Sequence, residues 1–112
     1  MSTRPLPPDT APAATSKKLG DQVYDGLAEE IAAADGVLFV TPEHSRSIPA
    51  ALKNAIDWGA RPWGQNSWTG KVAAVTGTSP GAISTALAQQ HLRQILGAQG
   101  VVLSGGEAYI QF

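Results

Sequence analysis

Apolar residues recur along this 112-residue chain in three short blocks, separated by segments with helical spacing. Each block is apolar at successive positions, which is typical of strands buried on both faces of a parallel sheet. The spacing before and between the blocks predicts three helices. The predicted strands cover residues 37–40, 72–76 and 101–103, and a short extended piece covers residues 108–110.

Turn residues mark where the predicted helices begin and end. The first helix is expected from about Ser16 to the Ala-Asp-Gly stop at residues 34–36, with its apolar stripe on Leu19, Val23, Leu27 and Ile31. Pro49 suits the first turn of the second helix, and Gly59 is expected to stop it. Ser79 is the expected N-cap of the third helix, with Pro80 in its first turn and Gly97 or Gly100 as its stop. The inward residues expected on this helix are Ile83, Leu87, Leu92, Ile95 and Leu96.

The resulting alternation of helices and strands indicates an α/β fold with a parallel sheet and right-handed crossovers. Residues 1–15, rich in Pro, Ala and Thr, are expected to form a disordered arm, and residues 16–112 a folded domain.

Composition narrows the classes of partner. The formal net charge of -1 disfavours a nucleic-acid or membrane partner, since both need clustered basic residues. The absence of cysteine excludes disulfides and thiolate metal sites, and His44 and His91 lie too far apart for a metal motif. With no apolar run of about 20 residues and no secretory signal in the first eighteen, a cytoplasmic protein is expected.

Two loops are candidates for ligand binding because ligands of open parallel sheets bind beyond the carboxyl ends of the strands. They span residues 41–47 and 77–81, and each leads towards a helix N-terminus. For the second loop, helix capping alone is an equally good interpretation. A Glu43–His44 acid/base pair is disfavoured because adjacent residues of an extended segment point in opposite directions. His91 is expected at the surface or in an interface, and the three tryptophans at a sheet end or subunit contact.

The sequence contains no recognisable side-chain motif for catalysis without a cofactor. The chain has no nucleophile elbow, no GxGxxG dinucleotide fingerprint and no GxxxxGK[ST] phosphate loop. No catalytic or metal-binding residue is therefore expected, and an enzyme built on this chain would need a cofactor to carry the reaction.

Two stretches resemble the NADPH-dependent FMN reductases, flavodoxin-like proteins that include chromate, quinone and azo-dye reductases. They are TPEHSRSIPAALKNAIDWGARPWGQNSWTGK and GTSPGAISTALAQQHLRQIL. The resemblance implies FMN as cofactor, NADPH or NADH as co-substrate and a quinone, flavin, dye or metal oxyanion as electron acceptor. It also implies dimers or tetramers, with contacts on the helix carrying Lys53, Asn54, Asp57 and Trp58. The flavin-binding residues implied are Pro42, Glu43, His44, Ser45, Arg46, Thr78, Ser79, Pro80 and Gly81.

The chain also departs from this family. The family's first strand, phosphate-binding loop, helix and second strand have no counterpart, so we expect an incomplete flavodoxin-like three-layer parallel sheet with weakened FMN binding. His44-Ser45 replaces the commoner Tyr-Asn pair. The alternatives are a shortened, non-catalytic relative that acts as an oligomerisation or regulatory partner, or an incomplete product that folds by exchanging strands with a second copy.

Overall fold

The computed structural model describes residues 26–61 and 64–112. The predicted arm at residues 1–15, the first part of the predicted first helix and Trp63 lie outside the described residues. The described part of helix α1 covers residues 26–33, so the predicted stop at residues 34–36 is confirmed. The other elements are β1 (Val37–Val40), α2 (Ala50–Gly59), β2 (Val72–Ser79), α3 (Ala86–Ala98), β3 (Val102–Leu103) and β4 (Tyr109–Gln111).

All strand pairings are parallel, as predicted, and β2 is the central strand of the described sheet. The order is β1-β2-β3, and β4 also pairs with β2. The carbonyls of Ala73 and Ser79 accept hydrogen bonds from Ser104 and Phe112, whereas the Thr76 carbonyl accepts one from Thr41. Since backbone groups of a strand alternate between its two edges, β3 and β4 lie along one edge of β2 and β1 along the other.

The hydrophobic core lies on one face of this sheet. Alternation along the strands directs Phe39, Ala73 and Val75 to that face, where they join one buried cluster with side chains from all three helices. The helical members of the cluster are Ile31 of α1, Ile56 of α2, and Leu92 and Leu96 of α3. The described residues thus form two layers, a sheet and one layer of helices.

The opposite face of the sheet carries exposed apolar side chains. Leu38 and Val40 are each 64% exposed, and Val72 and Val102 are 53% and 57% exposed. Val72 and Val102 are register partners, so they stand side by side on this face. A parallel sheet normally has both faces covered, and here the described residues cover one.

Helix α3 begins later than the sequence predicts, at Ala86 rather than at Ser79. The reason is that β4 pairs with the end of β2, and this pairing extends β2 through Gly77, Thr78 and Ser79. Ile83, expected to point inward from the helix, now precedes α3 and is 45% exposed. Leu87, also expected to point inward, is 38% exposed, while Leu92 and Leu96 are buried as expected.

The end of α3 agrees with the sequence. Gly100 has φ +81° and follows the C-cap residue Gln99. The N–H of Gly100 donates to the Gly97 carbonyl and the N–H of Val101 to the Leu96 carbonyl, each at 3.1 Å. This pair of bonds is the Schellman motif that a left-handed glycine allows. The stop is therefore Gly100, and Gly97 lies inside the helix.

Gly59 does not stop α2 in the way the sequence predicts. It lies within the helix, and the C-cap Ala60 has φ -83°. Glycine is needed here because a Cβ atom would lie 2.4 Å from Nε1 of Trp68. Trp68 is buried, packs against Phe39 and donates its indole N–H to the Ile56 carbonyl at 2.8 Å. The small residue thus seats the indole against the helix backbone.

This packing predicts opposite effects for two helical glycine-to-alanine changes. Gly59→Ala should lower the free energy of unfolding by about 1–3 kcal/mol, because the added methyl group displaces Trp68. Gly97→Ala is the control: its Cβ would have no heavy atom within 4 Å, so it should raise stability by about 0.5–1 kcal/mol. Urea denaturation measures both values, and a stabilised Gly59→Ala variant would contradict the packing of Trp68.

Candidate functional site

The two candidate loops meet at the carboxyl ends of β1 and β2. Thr41, directly after β1, is buried and donates its N–H to the Thr76 carbonyl at 3.0 Å. A Cβ atom on Gly77 would lie 2.2 Å from the Thr41 carbonyl oxygen and 2.6 Å from Oγ1 of Thr85. Only glycine permits this approach, so Gly77 brings the first loop, the second loop and the segment before α3 together.

The first loop contains a tight turn at residues 44–47. His44 and Ser47 exchange backbone hydrogen bonds of 2.9 and 3.0 Å, and the two residues between them have positive φ values. Ser45 has φ 51° and Arg46 φ 68°, as in a type I′ turn, where Asn-Gly is the preferred pair. Non-glycine residues in this conformation are strained, and such strain is concentrated at functional sites. Both side chains are exposed.

Glu43 turns its side chain towards helix α3. Its Oε1 accepts a hydrogen bond of 2.9 Å from the backbone N–H of Ala88, in the first turn of that helix. Thr85, the N-cap residue, makes no capping bond with its own side chain, so the carboxylate of Glu43 supplies this role from another loop. His44 is exposed next to it. The carboxylate is thus engaged with the backbone of α3.

Ser47 makes a second contact with α3. Its Oγ lies 2.9 Å from Nδ1 of His91, and both side chains form this contact near the surface. Ala88 and His91 are three residues apart on α3 and so lie on the same side of the helix. Both are contacted by the first loop. The first loop is therefore attached to α3 on both sides of its turn.

The second loop is held by the C-terminal strand. The hydroxyl groups of Thr78 and Ser84 both donate to the Ile110 carbonyl. The Ser79 carbonyl accepts from Phe112, and the Pro80 carbonyl accepts from the Gln111 amide, each at 3.1 Å. The interpretation of this loop as helix capping alone is wrong, because Ser79 belongs to β2 and lies well before the start of α3.

Two polar residues at the base of the site were missed by the sequence reasoning. Thr85 and Gln89 are fully buried, and the Gln89 amide donates to Thr85 Oγ1 at 2.8 Å and to the Ala108 carbonyl at 2.9 Å. The available signal was spacing: Thr85 and Gln89 continue the stripe of Leu92 and Leu96 towards the N-terminus. Polar residues on a buried stripe indicate a structural hydrogen-bond network.

A charged cluster lies beside the site, next to β4. Hydrogen bonds from Tyr109 and Gln90 lower the pKa of the Glu107 carboxyl, with a further contribution from Arg93. Desolvation, followed by the hydrogen bond with Glu107, raises the pKa of the Tyr109 hydroxyl. Arg93 also donates to the carbonyls of Ser104 and Gly106, so it orders the segment between β3 and β4.

Within residues 26–61 and 64–112, no group of three or more His, Cys, Asp or Glu side chains could hold a metal ion. The same ranges contain no helix long and apolar enough to cross a membrane.

The structure brings all nine predicted binding residues to the same end of the sheet. These residues differ in whether their side chains and backbone N–H groups already have hydrogen-bond partners in the protein. The side chains of Glu43 and Thr78 are occupied by protein partners. Across the described parts of the chain, no hydrogen bond uses the backbone N–H groups of Ser45, Arg46 or Gly81. The site therefore offers chiefly backbone donors and small polar side chains.

Comparisons with known proteins show which family this chain resembles. The profile of the NADPH-dependent FMN reductase family matches residues 6–112, so the match begins inside the segment predicted to be a disordered arm. A 2-hydroxy-1,4-benzoquinone reductase from Burkholderia sp. is 52% identical over 91 residues, which are 80% of this chain and 50% of that protein. A quinone reductase from Pseudomonas putida is 59% identical over 75 residues, covering 67% of this chain and 40% of the relative.

A solved structure shows the same fold. FerB, a flavoenzyme NAD(P)H:(acceptor) oxidoreductase from Paracoccus denitrificans, superposes with a TM-score of 0.77 at 53% sequence identity. The comparison covers 80% of this chain and 50% of FerB, so the chain spans about half the length of the relatives it matches. The expected flavodoxin-like parallel α/β fold is confirmed. With a profile matched over residues 6–112 and this structural likeness, the chain belongs to the NADPH-dependent FMN reductase family.

Proposed function

We propose that this chain binds FMN and takes part in an NAD(P)H-dependent oxidoreduction with a quinone as electron acceptor. The observation that carries the proposal is the pair of loops held together at Gly77, which present backbone donors at the carboxyl end of the sheet. The names of the relatives support a quinone, since two of them are quinone reductases. A free flavin, a dye or a metal oxyanion is the alternative acceptor. A cytoplasmic setting belongs to the proposal because NAD(P)H is supplied there.

The residues present fit the flavin ring. Its edge carries carbonyl oxygens and ring nitrogens that accept hydrogen bonds, and the N–H groups of Ser45, Arg46 and Gly81 are available as donors. Gly81 is exposed, and the nearest heavy atom to its Cβ position is Oγ of Ser79 at 3.8 Å, so a flat ligand can approach the backbone. His44 and Arg46 lie exposed at the rim.

The protein's own contribution is to bind and orient. FMN, when bound, supplies the capacity to accept a hydride from NAD(P)H and to pass two electrons to the acceptor. The loop residues hold the ring edge through backbone groups, and Thr41 and Gly77 fix the separation of the loops. The Glu43 carboxylate is occupied by α3, so the proposed mechanism needs no side-chain acid or base from these loops.

The first test compares FMN with riboflavin, which lacks the phosphate. Arg46 is the one Lys or Arg side chain in the two loops, and it lies exposed at the rim, so the ring should dominate binding. We expect both ligands to shift the flavin absorbance, with dissociation constants within about threefold of each other. A phosphate held by charge-assisted bonds would instead favour FMN by about tenfold or more. Failure to bind either ligand would contradict the proposal.

Gly77 provides the matching variant for this titration. Gly77→Ala should weaken flavin binding by about tenfold or more, because its Cβ forces Thr41 and Thr85 apart and misplaces both loops. Gly105→Ala is the control, since a Cβ there would meet no heavy atom within 4 Å. Equal affinities of the two variants would show that the close approach does not shape the binding site.

The turn at residues 44–47 gives a second, independent prediction. Arg46→Gly should raise the free energy of unfolding by about 1 kcal/mol, because glycine adopts φ 68° without the steric penalty of a side chain. Arg46→Lys is the matched control: it keeps the positive charge and the penalty, so its stability should equal that of the wild type. Thermal denaturation distinguishes them, and an unchanged or lower stability of Arg46→Gly would contradict the I′ geometry.

Self-association is the second candidate function, and the exposed sheet face favours it. We infer that the exposed face contacts the same face of a second copy in a dimer or tetramer; strand exchange between copies is the alternative arrangement. The residues of this face are Leu38, Val40, Val72 and Val102. The four described strands contain no charged residue, so two copies can meet on their exposed face without burying an unpaired ion from it. This contact would serve either the oxidoreductase or a non-catalytic oligomerisation partner.

Light scattering tests the interface. The wild type should form an oligomer, and a double variant, Leu38→Lys with Val102→Lys, should be monomeric because charges are costly to bury in that face. Leu87→Lys, on an exposed part of α3, is the control and should leave the oligomer intact. A monomeric wild type, with or without FMN, would contradict the inference.

A further inference from the structure

The first candidate loop has two attachments to helix α3, and they lie on either side of its turn. Before the turn, Glu43 Oε1 accepts the Ala88 N–H at 2.9 Å. After the turn, Ser47 Oγ lies 2.9 Å from His91 Nδ1. Between them, His44 and Ser47 close the turn through their backbone groups. The loop is therefore anchored to α3 at both ends of the five-residue segment 43–47.

The turn needs external support because its own residues disfavour it. Ser45 and Arg46 both adopt positive φ without being glycine, and each such residue is strained relative to an extended or right-handed conformation. Strained residues persist when the surrounding structure over-determines them. The attachments at Glu43 and Ser47 supply such a constraint.

The two attachments differ in strength. The bond of Glu43 joins a carboxylate to a backbone N–H at a helix N-terminus, it is partly buried, and it complements the helix dipole. The contact of Ser47 with His91 is exposed to solvent, which competes for both groups. Glu43 is therefore the dominant attachment.

We propose that Glu43 is a positioning residue: its carboxylate holds the turn of residues 44–47 in the conformation that presents the Ser45 and Arg46 N–H groups to the flavin. The inference rests on the proposed flavin binding. It gives the Glu43 side chain a role in ordering the loop whose backbone groups are proposed to contact the ring. Helix α3, which follows the second loop, would then also determine the geometry of the first loop.

The test uses two variants of Glu43 and a control of matched stability in the whole chain. Glu43→Ala removes the acceptor, whereas Glu43→Gln keeps an oxygen that can accept the Ala88 N–H. Ile56→Val, in the buried core of α2, provides a comparable loss of melting temperature without touching either loop. Amide hydrogen exchange at His44 and Ser47, measured by NMR on the ligand-free protein, reports the turn directly, and FMN titration reports its consequence.

We expect Glu43→Ala to speed exchange at His44 and Ser47 by about tenfold or more and to weaken FMN binding by a similar factor. Glu43→Gln should stay within about threefold of the wild type in both readouts, and Ile56→Val should leave the FMN dissociation constant unchanged.

Three outcomes would overturn the proposal. Unchanged exchange in Glu43→Ala would mean that the carboxylate does not hold the turn. Faster exchange with unaltered FMN affinity would limit Glu43 to a structural role. Equal weakening by Ile56→Val would attribute the effect to general instability. If the wild type binds no flavin, the proposed function fails, and the exchange contrast alone decides whether Glu43 orders the turn.

Discussion

The approach of Thr41 to Gly77 is the constraint on which the site depends. A carbonyl oxygen at the end of β1 occupies the space where a side chain of β2 would otherwise stand, and the Thr85 hydroxyl closes the same space from the segment before α3. Three parts of the chain that are distant in sequence therefore meet at one point. The first loop leaves β1 in a direction that lets Glu43 reach α3, and the second loop continues along β2 beyond the end of β1. Any residue larger than glycine at position 77 would separate these parts.

The first turn of α3 joins the two loops energetically. The backbone N–H of Ala88 in this turn donates a hydrogen bond to the Glu43 carboxylate. The buried Gln89 amide donates to Thr85 Oγ1 and to the Ala108 carbonyl, which precedes β4. Strand β4 in turn holds Thr78 and Ser84 through the Ile110 carbonyl. Displacement of either loop thus disturbs bonds made to the same helix. The amide N–H groups of Gln89 make the bonds to Thr85 and Ala108, whereas its Oε1 is buried without a hydrogen-bond partner among the described residues.

The sequence predicted those features whose cause is local, and it failed where the cause lies far along the chain. Strands β1 and β2 follow from continuous apolar runs, and Gly100 follows from the stop pattern after α3. The start of α3 was wrong because β4, some 30 residues away, extends β2 through the predicted cap Ser79. Gly59 was read as a stop because the indole of Trp68 that it accommodates arrives from a later loop. The backbone N–H that Glu43 contacts lies 45 residues away in the sequence. The positive φ values of Ser45 and Arg46 could not be predicted because neither residue is glycine.

Within the described residues, the bonds that hold the two loops are separate from the exposed face of the sheet. The first loop is fixed by α3 and the second by β4, both on the covered side or the edge of β2. The exposed face of Leu38, Val40, Val72 and Val102 makes no contribution to either loop through these bonds. Whatever covers that face adds to the free energy of unfolding through burial of apolar surface. Among the described residues, the geometry that we propose for a flavin ring is set by hydrogen bonds between parts of the chain that are distant in sequence.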